Sequence, residues 1–252
     1  MSDPTKRFSN RVDDYVRYRP RYPSAVVDLL ESSCGLTRDW VVADVGSGTG
    51  IFSEMLLRLG CRVYGVEPNR EMREAGERLL AGHPGFVSVD GRAEATTLPG
   101  ASVDLVTAGQ AFHWFDRARS RAEFVRILKP GGWVALVWNK RRKSGTPMNA
   151  AYERLLLKYA VDYQSVDHET VTDEMIAAFF HPQEMQQRSF EQPRRLDYRT
   201  LEGYMRSASY APPPGHPAYE PMLAELRSLF EAVQTDGVAT LEYDTKVYLG
   251  PL

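Results

Sequence analysis

The segment Val41-Val42-Ala43-Asp44-Val45-Gly46-Ser47-Gly48-Thr49-Gly50 constrains this 252-residue chain more than any other. Its first half is short, apolar and rich in β-branched residues, as a buried strand is. Its second half sets glycines at every other position, which lets the backbone turn sharply and lets a ligand approach where a side chain would collide. Phe52, Met55, Leu56 and Leu59 then fall at helical spacing, and Gly60 stands where a left-handed residue usually closes a helix. A strand feeding a glycine turn and then a helix is the opening unit of an α/β sheet, and the turn calls for a ligand.

The unit recurs. Residues 62–67, 86–89, 103–107 and 133–138 read as strands, and 69–80 and 117–128 as helices, each bounded by Gly or Pro signals such as Lys129-Pro130-Gly131-Gly132. Upstream, Ser24 is placed to cap a helix that carries Val26, Val27, Leu29 and Leu30. Repeated βαβ units with short loops predict a parallel sheet covered by helices on both faces. Beyond Asn139 the rhythm breaks: 148–159 and 173–180 read as helices with no strand between them, which predicts a helical cap over 140–184. A strand near 186–191, helices near 201–207 and 219–233, and an alternating strand over 241–249 follow.

Composition closes off other classes. With 43% hydrophobic and 25% charged residues the chain is ordinary globular material. Its 31 basic and 33 acidic residues give no surplus of positive charge for a nucleic acid. Arginines gather at Arg17, Arg19 and Arg21, and a basic run spans Lys140, Arg141, Arg142 and Lys143; solvated surface and a local patch both stay open for them. Cys34 and Cys61 have no metal-ligand spacing, His83, His168, His181 and His216 are scattered, and no metal is expected. A polar start and the lack of ~18 consecutive apolar residues lead to an expected cytoplasmic location without a membrane.

The ligand's chemistry follows from two positions. A dinucleotide fingerprint would put a third, packing glycine or alanine where Ile51 stands, so pyrophosphate binding is disfavoured. Glu67, at the end of the second strand, is placed to accept hydrogen bonds from both hydroxyls of a ribose. Together they point to a nucleoside.

These residues also carry a resemblance. The stretch 41–52, with Val63-Tyr64-Gly65-Val66-Glu67-Pro68, is similar to the first motifs of class I S-adenosylmethionine-dependent methyltransferases. Gly91-Arg92-Ala93-Glu94, Ser102-Val103-Asp104-Leu105-Val106, Gln110-Ala111-Phe112-His113-Trp114-Phe115-Asp116 and Leu128-Lys129-Pro130-Gly131-Gly132 follow in that family's order. With Tyr18-Arg19-Pro20-Arg21-Tyr22-Pro23, they resemble the small-molecule branch, methyltransferase type 11, that includes trans-aconitate methyltransferase-like proteins. The resemblance is strong over 8–139 and loose over 186–249.

It implies a Rossmann-like class I methyltransferase fold with a mostly parallel seven-stranded sheet. Length and pattern lead to an expected single domain over 1–252: a lid segment (1–23), a cofactor-binding core (24–139), the helical cap (140–184), which matches nothing specific in the family, and strands and helices that complete the sheet (185–252). S-adenosyl-L-methionine is the implied cofactor and S-adenosyl-L-homocysteine its product. Gly46, Ser47, Gly48, Thr49 and Gly50 would lie under the methionine, Glu67 at the ribose, and Ala93 with Glu94 at the adenine, with Asp44, Pro68 and Gln110 as further cofactor-binding residues. Many relatives have an aspartate before that alanine; here it is Arg92, which leaves Glu94 or a backbone group to hold the adenine amino group. Gly109 to Trp114, beyond a strand end across the crevice from the glycine turn, would face the methyl group.

His113 is the candidate base, although a histidine that only packs stays open, since an ionised carboxylate acceptor needs no base. Tyr15, Tyr18, Arg19 and Tyr22 are candidate lid or substrate residues, and Trp114 a candidate wall. The expected reaction is methyl transfer to a small-molecule acceptor, at oxygen before nitrogen or carbon. A non-catalytic S-adenosylmethionine-binding module and a nucleotide-linked oxidoreductase are the alternatives. Monomer and homodimer stay equally open.

Overall fold

A computed structural model describes residues 12–161, 163 and 171–252. Its main sheet has 7 strands in the order β3-β2-β1-β4-β5-β9-β6. These are β1 (Val41–Val45), β2 (Arg62–Val66), β3 (Phe86–Val89), β4 (Val103–Gly109), β5 (Leu128–Arg141), β6 (Gln186–Glu191) and β9 (Tyr243–Pro251). The first five pair in parallel, while β9 runs antiparallel between β5 and β6. The expected mostly parallel seven-stranded sheet is thus present. Chain order reverses at β1, which lies between β2 and β4, and ligands of such sheets bind outside the carboxyl strand ends at that point.

Neighbouring residues of each strand point to opposite faces, and both faces are buried. Val42, Val63, Leu105 and Val247 meet Val26 and Leu30 of α2 (Ala25–Cys34) and Phe52 and Leu56 of α3 (Ile51–Leu59). Ala43, Val106, Leu136 and Tyr248 meet Phe124 and Ile127 of α5 (Arg117–Ile127) and Phe179 and Phe180 of α7 (Asp173–Phe180). Leu80 of α4 (Arg70–Leu80) joins the first of these layers. Burying each such large side chain contributes ~1.5–3 kcal/mol, so these layers hold the strand ends in place.

A second lobe sits beyond the strand ends. It comprises α1 (Val12–Tyr18), α6 (Pro147–Tyr159), α8 (Tyr198–Arg206), α9 (Tyr219–Val233) and a small antiparallel sheet of β7 (Arg194–Leu196) and β8 (Ala239–Leu241). Tyr18, Met148, Leu155, Leu201, Met205, Met222, Leu226 and Leu241 form its core.

Several local readings change. Of the two helices expected in the cap, α6 joins this lobe, whereas α7 packs under the main sheet. Ile176, Phe179 and Phe180 give α7 an apolar stripe that faces Phe112 and Phe124, and Arg121 donates to the carbonyls of Phe179 and His181 at its end. Within 185–252, β6 and β9 complete the main sheet; α8, α9, β7 and β8 build the lobe instead.

The single strand expected over 241–249 is split at Glu242. The Glu242 amide donates to the Asn149 side chain (3.0 Å) in place of a strand partner, while its carbonyl accepts from both that side chain (3.1 Å) and the Arg142 amide (2.9 Å). Ser24 does not cap α2 with its side chain: it has helical dihedrals, and its carbonyl receives the Val27 and Asp28 amides. β5 begins earlier than expected, because Gly131, at φ +78°, lets the chain bulge while Leu128 still pairs with Val103.

Candidate active site

The glycine turn is shaped by contacts that no other residue would permit. Gly46 has φ +70°, and a Cβ there would stand 2.5 Å from the Ala111 Cβ. Gly48, at φ +56°, donates its amide to Glu67 Oε2 at 2.9 Å. The amides of Gly46 and Ser47 donate to the Val66 carbonyl, which ties the turn to the end of β2. Gly50, at φ +83°, is the residue before α3, and Ile51 opens that helix on the cavity wall.

Below the turn Asp44 is wholly buried, and each of its oxygens accepts a hydroxyl: Ser53 at 2.6 Å and Thr107 at 3.0 Å. Burial raises its pKa to about 6, and the two hydroxyls only partly offset that.

Glu67 is buried and doubly held, since Oε1 also accepts from the Asn69 amide at 2.8 Å. Loss of water pushes its carboxyl upward, and the Asn69 and Gly48 amides pull it back. Each oxygen keeps lone-pair capacity for one more donor, as a vicinal diol requires. Pro68, Asn69, Met72, Ala93, Glu94 and Phe115 continue the wall away from Glu67. Glu94 Oε1 accepts from the Asp116 amide at 2.8 Å, which closes this end with backbone on one side and apolar surface on the other.

Except for Gly50, Ser53, Val66 and Thr107, these residues line one cavity of about 540 Å³. Across from the turn, Gln110 adopts φ +58°, a left-handed conformation that costs a side-chain-bearing residue of order 1–3 kcal/mol and is held only where surroundings enforce it. Its amide donates to the Val137 carbonyl (2.8 Å) and its side chain to the Asn139 carbonyl (3.0 Å). Asn139 in turn accepts from Thr245 at 2.6 Å and donates to the Arg21 carbonyl at 3.3 Å. This chain of bonds locks the ends of β4, β5 and β9 and seats the N-terminal segment on them. His113 and Trp114 follow on a short 3-10 turn, their rings 4.6 Å apart, and both face the cavity.

The lid residues separate into two groups. Tyr15, Arg19 and Tyr22 line the cavity, and Tyr22 packs edge-on to Phe52. Tyr18 does not line it: its ring turns into the second lobe against Gly203, where an added Cβ would stand 2.3 Å from it. Residues 1–11 of the expected lid lie outside the described residues, as does His168.

The far end of the cavity was not foreseen. Asn139, Arg141, Lys143, Tyr163, Tyr204, Tyr210 and Tyr243 line it. The Arg141 side chain is 7% exposed and pairs with Glu153, so a basic run open to a surface reading delivers a buried cation. Thr49 Oγ1 and Arg19 Nε, buried polar atoms on the cavity wall, make no hydrogen bond among the described residues. Buried polar atoms are nearly always satisfied, which makes both candidates for a bond to a ligand.

Comparison with known proteins agrees with this geometry. Residues 43–136 match the family described as "Methyltransferase domain". An uncharacterized methyltransferase of Mycobacterium tuberculosis is 39% identical over 139 residues, which is 55% of this chain and 54% of that protein. An uncharacterized methyltransferase-like protein of Schizosaccharomyces pombe is 31% identical over 164 residues, 64% of this chain and 61% of that protein. The chain therefore matches roughly half the length of its curated relatives, 54% in the first. Among solved structures, a SAM-dependent methyltransferase from Aquifex aeolicus superposes with a TM-score of 0.55 at 15% identity, covering 100% of both chains. The class I methyltransferase fold and the resemblance expected from the motifs both stand.

Proposed function

From the match of residues 43–136 to the methyltransferase domain, we propose that this chain transfers a methyl group from S-adenosylmethionine to a small-molecule acceptor, at oxygen, and does so in the cytoplasm. The observation that carries the reading is the Glu67 carboxylate, held by the Gly48 and Asn69 amides beside the glycine turn and inside the same cavity. A nucleoside with an amino-acid tail fits what surrounds it. Glu67 takes the ribose hydroxyls, Pro68, Met72, Ala93 and Phe115 enclose the base, and Thr49 Oγ1 offers the methionine a hydrogen bond it makes nowhere else. The near half of the cavity carries Asp44, Glu67, Glu94 and Asp116 against Arg92 and Arg119, a balance suited to a ligand with cationic centres.

When bound, the cofactor supplies a methyl group on a sulfonium, which passes to an acceptor lone pair while the C–S electron pair stays on the thioether sulfur. The protein's own part is alignment and exclusion of water. Gln110, fixed by Val137 and Asn139, sets the width of the passage between the turn and the far end, and Tyr22 and Phe52 wall it. His113 faces the passage and accepts the acceptor's proton where the acceptor arrives protonated. The cavity continues past Gln110 and His113 to the tyrosine-lined end, which favours an enzyme over a module that only binds the cofactor. Cys34 and Cys61 are free thiols, in keeping with a reducing compartment. No helix of the described residues is long and apolar enough to cross a membrane.

Equilibrium dialysis with labelled S-adenosylmethionine tests the Glu67 assignment. Removal of two charge-assisted hydrogen bonds in Glu67→Ala should weaken binding at least 30-fold, on the order of 2 kcal/mol. Equal affinity in the two proteins would reject the site.

A further inference from the structure

We propose that the Tyr22 hydroxyl belongs to the methyl site, where its oxygen meets the methyl group of the bound cofactor and orients it toward the acceptor. The proposal rests on the near end of the cavity being the cofactor site and names a residue that serves the transfer there.

The hydroxyl is unused within the described protein. Tyr22 lines the cavity, its ring packs edge-on to Phe52 with centroids 4.9 Å apart, and its hydroxyl makes no hydrogen bond among the described residues. Burial pushes the phenol well above the ordinary tyrosine range; Tyr15 and Asp44 add to that, and Arg19 opposes it. Tyr22 therefore stays neutral, and both lone pairs of its oxygen are open to a ligand.

Gly109 shows how closely the hydroxyl is placed. The backbone there does not demand glycine, since its φ lies outside the left-handed region. A Cβ at that position, however, would stand 2.7 Å from the Tyr22 oxygen and 3.4 Å from the Phe52 Cβ. The chain that carries Tyr22 is fixed as well: the Arg21 carbonyl accepts from Asn139 at 3.3 Å and from Gln192 at 2.7 Å. Ring, hydroxyl and backbone are held before a ligand arrives, as an orienting group requires.

Strand order brings this hydroxyl to the methyl. Glu67 follows β2, the glycine turn follows β1 and Gly109 ends β4, and these strands lie side by side in the order β2-β1-β4. Two strand spacings amount to ~10 Å. A ribose held at Glu67 and the carbon that joins it to sulfur cover most of that span, which carries the sulfur over the turn and its methyl to the end of β4. There Gln110 sets the passage to the far end of the cavity. The hydrogens of a sulfonium methyl are electron-poor, and a hydroxyl oxygen attracts them through weak C–H···O contacts that fix the direction of the C–S bond. Tyr22 gains and loses no proton in doing so.

Ligands that differ at the methyl position separate this role from a general one. S-adenosylhomocysteine has nothing there, S-adenosylmethionine has a methyl, and sinefungin has an amine on carbon in place of the methyl on sulfur. In calorimetric titrations Tyr22→Phe should weaken sinefungin about tenfold or more, as loss of a hydrogen bond to a charged group does. S-adenosylmethionine should weaken about threefold, as loss of C–H···O contacts does, and S-adenosylhomocysteine should bind both proteins equally. The ligand-free melt should not change, because the hydroxyl has no protein partner to lose; a merely structural role would lower it. Gly109→Ala keeps the phenol and pushes it aside, so it should also weaken sinefungin more than S-adenosylhomocysteine, and it reads the site even if Tyr22→Phe does not fold.

Equal losses for the three ligands would overturn the proposal and make Tyr22 a wall for the part of the cofactor they share. Unchanged sinefungin affinity in the variants would overturn it too. Failure of the cofactor reading shows separately, as absence of binding of all three ligands by the unaltered protein.

Discussion

Burial holds the Asp44 carboxyl at a pKa of about 6, against 3.8 for the free group, and this single residue gives the protein's stability a definite pH signature. Between those values the folded state binds more protons than the unfolded chain, so stability falls as pH rises from about 4 to 6 and is lowest, for this group, once Asp44 is charged. A rise of that size corresponds to about 3 kcal/mol. Asp44→Asn keeps an acceptor for Ser53 or Thr107 and removes the charge. In denaturant melts it should therefore gain on the unaltered protein by about 3 kcal/mol between pH 4 and pH 7. Parallel curves would show that the carboxylate is not desolvated in solution.

Residues of this kind differ in how far the sequence reveals them. The Gly46 turn and Glu67 were legible because a close backbone approach and a ribose diol each demand particular residue types at fixed places in a strand-turn-helix unit. Arg141 was not, since burial of a basic side chain depends on Glu153 and Tyr163, which only the folded chain brings beside it.

At the scale of elements, α1 is the part whose position matters most to the cavity, and it is fastened chiefly to the second lobe. Arg194 bonds the Tyr18 carbonyl, Arg206 pairs with Asp14 at 3.2 Å, and Arg19 reaches the Ser207 carbonyl. The Tyr18 ring fills the space left by the missing side chain of Gly203 in α8. Gly203→Leu would force the two helices apart, and overpacking of this kind costs about 1–3 kcal/mol. Because Tyr15, Arg19 and Tyr22 move with α1, the same variant should also bind S-adenosylhomocysteine more weakly; an unchanged melt together with unchanged affinity would mean that α1 is not packed as described.

The α/β rhythm of the core was readable because each strand there is a short apolar run bounded by turn residues. β7 and β8 were not, because Arg194–Leu196 and Ala239–Leu241 are too short to show a period, and the break at Glu242 is imposed by Asn149 from a distant helix.

Over the whole molecule, a parallel sheet of ordinary α/β build presents its strand ends to a lobe assembled from both termini-proximal and inserted elements, and the cavity lies where they meet. Asp44, Glu67, Glu94 and Asp116 stand around the glycine turn, and Arg19 and Arg141 among the tyrosines. The first end was legible through motifs that serve a ligand of fixed structure. The second had to await the fold, since its residues come from α1, the end of β5, α8 and β9, and no local pattern links them. That the first end holds S-adenosylmethionine is tested by calorimetric titration with S-adenosylhomocysteine, with NAD as the contrasting ligand. S-adenosylhomocysteine should bind in the micromolar range, worth roughly 8 kcal/mol, and NAD should not bind. Binding of NAD without S-adenosylhomocysteine would contradict it and assign the glycine turn to a dinucleotide.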